Sequence, residues 1–123
     1  MDASVREHKT KLYDDTMRGL MRMLNLGSGK PLDEKEMKTF FADVTPPLIT
    51  YGSRGVILAW NKFRKVSRTV GIDPIDMMLS FEGLLKAMRQ DLGHRVISHQ
   101  PGELLSIFIN DMDEAITKRK STK

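Results

Sequence analysis

The sequence predicts an all-α fold: a single-domain bundle of about five helices, with a Pro-Pro break in the second. Three observations carry this. Apolar residues recur at helical spacing between turn signals, and no segment alternates long enough to be a strand. Four turn signals divide the chain into pieces of helical length: Gly27-Ser28-Gly29-Lys30-Pro31, Gly52-Ser53, Gly71-Ile72-Asp73-Pro74 and Gly93-His94. A chain of 123 residues, 40% hydrophobic and 29% charged, is large enough to bury one core without staples.

The first helix is expected over 5–26. Leu12, Tyr13, Met17, Leu20, Met21, Met23 and Leu24 cover one broad arc, and Lys11, Asp14, Asp15, Arg18, Arg22 and Asn25 cover the other. The second opens on Asp33 with Glu36 three residues on, the spacing of a capping box. Its stripe is Met37, Phe40, Phe41 and Val44. Pro46-Pro47 should interrupt or kink it, because each proline removes an N–H and crowds the preceding turn. Leu48 and Tyr51 continue the stripe in a short second piece, with Gly52 as a left-handed stop and Ser53 as the next cap.

The third helix, 54–70, directs Val56, Ala59, Trp60, Phe63, Val66, Ser67 and Val70 to one face. Gly71 ends it. The fourth has Asp73 as cap and Pro74 at its first position, with Met77, Phe81, Leu84, Leu85, Met88 and Leu92 as core, and Gly93 closes it. A last helix should begin near Pro101 and carry Leu104, Leu105, Phe108, Ile109, Met112 and Ile116. The expected division is a helical domain over 1–117 and a basic tail over 118–123.

With no cysteine in the sequence, disulfides, thiolate metal sites and a cysteine nucleophile are excluded. The first residues lack the apolar core of a signal peptide, and no apolar run reaches the length of a membrane span. A cytoplasmic location is therefore the expectation.

Catalytic motifs fail on context. Gly27-Ser28-Gly29-Lys30 would need a glycine where Leu24 stands and a hydroxyl where Pro31 stands, and a helix precedes it where a phosphate loop needs a strand. Gly52-Ser53-Arg54-Gly55 imitates the backbone clamp of KH domains, but the required sheet has no candidate strands. His8, His94 and His99 have no carboxylate cluster at ligand spacing, and Asp111 and Asp113 point to different sides of a helix. The expectation is a non-enzymatic domain with no catalytic residue, no cofactor and no metal.

The stretch from Asp43 to Asp73 holds no acid between its ends, yet contains Arg54, Lys62, Arg64, Lys65 and Arg68. These form a candidate anion-binding face, because a one-signed helix face attracts an anionic partner. The bland reading, a solvated face or one covered by Asp76, Glu82 or Asp91 of the fourth helix, is the favoured one. Among the nine methionines most fall on core stripes. Met21, Met78 and Leu79 lie at or beyond their stripe edges and form a candidate interaction surface.

Leu48-Ile49-Thr50-Tyr51-Gly52-Ser53, then Val56, Phe63-Arg64 and Met88-Arg89-Gln90-Asp91-Leu92-Gly93 make a pattern with a known likeness. It resembles a widespread family of bacterial proteins of unknown function with an apolar-Tyr-Gly-Ser turn and an Arg-x-Asp-Leu-Gly helix end. The likeness covers roughly 12–110, and Pro46-Pro47 departs from it. It implies a helical bacterial domain, names no activity, substrate or cofactor, and directs attention to Arg64, Arg89 and Asp91 as structural polar contacts. The functional expectation is a protein–protein interaction domain, self-associating as a homodimer or bound to another protein. Sequence-tolerant binding of nucleic acid or another polyanion through the basic helix and the tail is the alternative.

Overall fold

A computed structural model describes residues 2–26, 30–94, 100–109 and 116–118. Among them are helices α1 (Ala3–Met23), α2 (Glu34–Tyr51), α3 (Arg54–Ser67) and α4 (Pro74–Asp91), followed by a 3-10 turn, η1 (Leu105–Ile107). None of the described residues is in a strand, so the fold is all-α. The chain separates into two compact units, Met1–Ile57 and Leu58–Lys123.

In the first unit α1 and α2 form an antiparallel hairpin. Three contacts fix the direction, because they run in opposite order along the two helices. The His8 and Tyr51 rings stack with centroids 5.0 Å apart. Gly19 lies so close to Phe40 that a Cβ there would overlap the ring. Arg22 reaches Glu36 at 3.7 Å. The buried set is Leu12, Tyr13, Thr16, Leu20, Val44 and Leu48. Thr16 is the member that apolar periodicity misses, and its hydroxyl is satisfied by donating to the Leu12 carbonyl at 2.7 Å.

The ends of these helices follow local chemistry. Asp33 accepts from the Glu36 N–H at 2.7 Å, and Glu36 accepts from the Asp33 N–H at 3.3 Å, completing the capping box. Helix α1 stops earlier than periodicity suggests. Asn25 takes φ 57°, and the Asn25 and Leu26 N–H groups return to the Arg22 and Met21 carbonyls at 3.2 and 2.7 Å, a Schellman closure.

The Pro-Pro break does not occur: α2 runs through Pro46 and Pro47 to Tyr51. Two carbonyls, of Ala42 and Asp43, lose their donors, and both residues are exposed, so water can serve them. The Thr45 hydroxyl adds a bond to the Phe41 carbonyl at 2.6 Å. Gly52 is also not left-handed. Its φ is −66°, and glycine fits there because a Cβ would stand 2.6 Å from the Leu48 carbonyl oxygen.

In the second unit, Phe63 of α3 and Phe81 of α4 meet with ring centroids 6.1 Å apart. Phe63, Phe81, Leu84, Met88, Leu105 and Ile116 are buried. Asp73 accepts from the Ile75 N–H at 2.8 Å with Pro74 opening α4, and Gly71 and Gly93 take φ of 76° and 97°. Val70, expected in the core, is 99% exposed, because α3 ends at Ser67 and the helical period ends with it.

The helix expected from Pro101 is absent over 101–109, which form turns and η1. The cause is Glu82. This residue is 1% exposed, and its carboxylate accepts the N–H groups of Gly102, Leu104 and Leu105 at 2.7, 2.9 and 3.1 Å. Those N–H groups lie at the start of a helical turn, where a carboxylate binds most favourably. At the far end of the expected last helix, residues 116–118 are helical and Ile116 is buried; 110–115 and 119–123 lie outside the described residues.

Candidate functional site

The five basic residues between 54 and 68 have different surroundings in the fold. Arg54 opens α3 in the first unit and is exposed. In the second unit Lys62, Lys65 and Arg68 are exposed and Arg64 is half-buried. With about 100° per residue, Lys65 lies about 160° round the axis from the buried Phe63, with Lys62 and Arg64 about 100° to either side of Phe63; Arg68 follows the last helical residue, Ser67.

None of Arg54, Lys62, Lys65 and Arg68 pairs with a carboxylate among the described residues. The acid nominated to cover them, Glu82, is instead buried on the 102–105 turn, with Lys86 3.7 Å from one oxygen. Asp76 and Asp91 are half-buried. The C-terminal turn is closed by side chains: Ser67 Oγ and Arg68 Nε donate to the Arg64 carbonyl at 2.9 and 3.2 Å, and Thr69 Oγ1 donates to the Lys65 carbonyl at 2.9 Å.

Burial, and secondarily the positive charge of Arg68, push the Arg64 pKa below its usual value. The guanidinium stays protonated regardless, because arginine starts so far above neutrality. Cations in the last turn of a helix are favoured by its dipole, which accounts for Arg64 and Lys65 but not for Lys62, five residues before the helix end.

One residue on this face is not a cation. Leu58 is 54% exposed and sits four residues before Lys62 and seven before Lys65. Its i, i+4, i+7 register with the two lysines is the signal that spacing alone makes available.

The other nominated residues do not assemble into a site. Met21, Met78 and Leu79 are half-buried rather than free. The large apolar side chains most open to solvent are Ile49, Leu58, Val70 and Ile107. Arg89, expected to hold structure, is exposed and has no ion pair among the described residues, while Asp91 ends α4 half-buried.

His8 Nδ1 donates to the Ser4 carbonyl at 2.7 Å and its ring lies on Tyr51, which gives it a packing role. His94 is exposed; His99, Asp111, Asp113 and Gly27-Ser28-Gly29 lie outside the described residues. Ser53 Oγ accepts from the Val56 N–H at 3.2 Å, so the Gly-x-x-Gly sequence is a helix stop and cap. No group of metal-ligating side chains is present among the described residues. Two adjoining grooves along the α1–α2 hairpin, of about 590 and 420 Å³, are open and carry charges of both signs, including Arg18, Lys35 and Glu36 in one and Lys11 in the other, with Asp15 and Asp43 in both.

Compared with protein-family models, curated proteins and solved structures, the chain matches none of them.

Proposed function

We propose that the chain is a non-enzymatic interaction domain that binds an acidic partner through the outer face of α3. One observation carries this reading. Lys62 and Lys65 of α3, and Arg68 just past its end, stand exposed with no carboxylate partner among the described residues, and Phe63 fixes the opposite side of the helix. An unanswered cluster of one sign raises the local concentration of the opposite one and speeds encounter with it.

The bland reading of a covered face loses one of its three acids, Glu82, to the 102–105 turn. A proton-transfer role for that acid has little support either, since both oxygens of Glu82 already accept backbone N–H bonds. The proposal also carries the bacterial origin and cytoplasmic setting expected from the sequence; no described helix is long and apolar enough to cross a membrane.

The test is fluorescence anisotropy with labelled poly-glutamate at low salt. Wild-type protein should bind, binding should weaken as salt screens the exposed charges, and Lys62→Glu with Lys65→Glu and Arg68→Glu should abolish it. A wild type that ignores the probe, or a triple variant that binds equally well, overturns the proposal.

Self-association is the second reading, favoured by Ile49, Val70 and Ile107 at 73%, 99% and 80% exposure. Sedimentation over a wide concentration range decides it: a constant monomer mass removes the homodimer.

A further inference from the structure

We infer that the acidic partner is a helical peptide segment that places an apolar side chain on Leu58 and carboxylates over Lys62 and Lys65. This rests on the proposed function and adds the partner's chemistry and spacing. The argument starts from Leu58, which is exposed beside cations and would be drawn out of water by an apolar contact. A bare polyanion offers it none.

The spacing narrows the choice further. At about 1.5 Å per residue, Lys62 and Lys65 lie about 6 and 10.5 Å along α3 from Leu58, both within about 40° of its direction. A facing helix repeats the same intervals at four and seven residues. A facing strand presents one side every two residues, at about 6.6 and 13 Å, and misses the second lysine.

Direction follows from the helix dipole. An antiparallel partner sets its N-terminal end over the C-terminal end of α3, where its acids are favoured by its own dipole and face Lys65. The segment therefore reads Glu/Asp, then Glu/Asp three residues on, then a large apolar residue four further.

Nucleic acid fits less well. Stacking on bases needs exposed rings, whereas Trp60 is half-buried and Phe63 is fully buried. Phosphates would use the lysines and leave Leu58 in water.

Anisotropy with the full chain tests this, using a helix-forming peptide with Glu at i and i+3 and Leu at i+7. Its control carries Ser in place of Leu. Duplex DNA, single-stranded RNA and phosphatidylserine vesicles are the competing probes. The Leu peptide should bind roughly tenfold tighter than the Ser peptide, the size expected of one partly buried leucine. Leu58→Ser should erase that difference, and Lys62→Glu with Lys65→Glu should weaken both peptides.

If the charge variants weaken both peptides while Leu58→Ser changes nothing, the face binds acids and the proposed function stands, but the helical apolar partner is wrong. Tighter binding of DNA, RNA or vesicles than of the Leu peptide also overturns the inference, in favour of that class. Peptide binding that is indifferent to the charge reversals sinks the proposed function itself. All three substituted residues are exposed, so unchanged melting curves confirm that each variant is folded.

Discussion

Glu82 and Lys65 are both charged residues on helices of the second unit, and their environments are opposite. Glu82 is out of water and accepts bonds from three backbone N–H groups, with the Lys86 ammonium close by. Lys65 is in water, on a helix face with no carboxylate partner among the described residues. A buried charge persists only when its surroundings answer it, so Glu82 reports on folding. An exposed charge contributes little to folding and is free to act on other molecules. The comparison separates residues that hold the structure from those that meet a partner.

The largest expected effect lies on the buried side. Glu82→Ala leaves three N–H groups of the 102–105 turn without their acceptor and should cost about 3–5 kcal/mol in a denaturant melt. Glu82→Gln keeps one acceptor oxygen but turns an NH₂ toward an N–H, and should cost roughly 1.5–3 kcal/mol. Losses below half a kcal/mol would mean that water replaces the carboxylate easily and that Glu82 does not set the path of 101–109.

Next comes packing in the first unit. Gly19→Val puts two methyl groups where the Phe40 ring lies and should cost about 1–3 kcal/mol through overpacking. Asp33→Ala removes a cap whose two reciprocal bonds are both present, for about 1 kcal/mol. At the small end, Arg89→Ala should change stability by less than about 0.5 kcal/mol, since the residue is exposed and unpaired among the described residues. A large loss there would restore the structural role that the Arg-x-Asp-Leu-Gly pattern implies.

Local chemistry was legible in the sequence. Asp33 with Glu36, Asp73 with Pro74, and Gly93 each define a helix end from two or three neighbouring residues, and each is found as read, whereas Gly71 takes a positive φ but α3 has already ended at Ser67. The expected interruption at Pro46-Pro47 is not found because a proline's cost depends on whether the freed carbonyls meet water, which depends on the face they occupy. Glu82 was invisible for a different reason. Its partners are 20 to 23 residues away, and no local period marks a carboxylate between Phe81 and Gly83 as buried. The basic face of α3 was visible as a run without acids, and the register of Leu58 with its lysines could be read from spacing, but the exposure of both required the fold.

The most direct measurement uses one protein, the Lys62→Glu, Lys65→Glu double variant, and two readings on it. The account predicts a melting curve superimposable on wild type together with loss of binding to the Glu–Leu helical peptide. A melting curve shifted down by several degrees would show that these charges hold the structure; unchanged peptide binding would show that the α3 face is not where a partner docks.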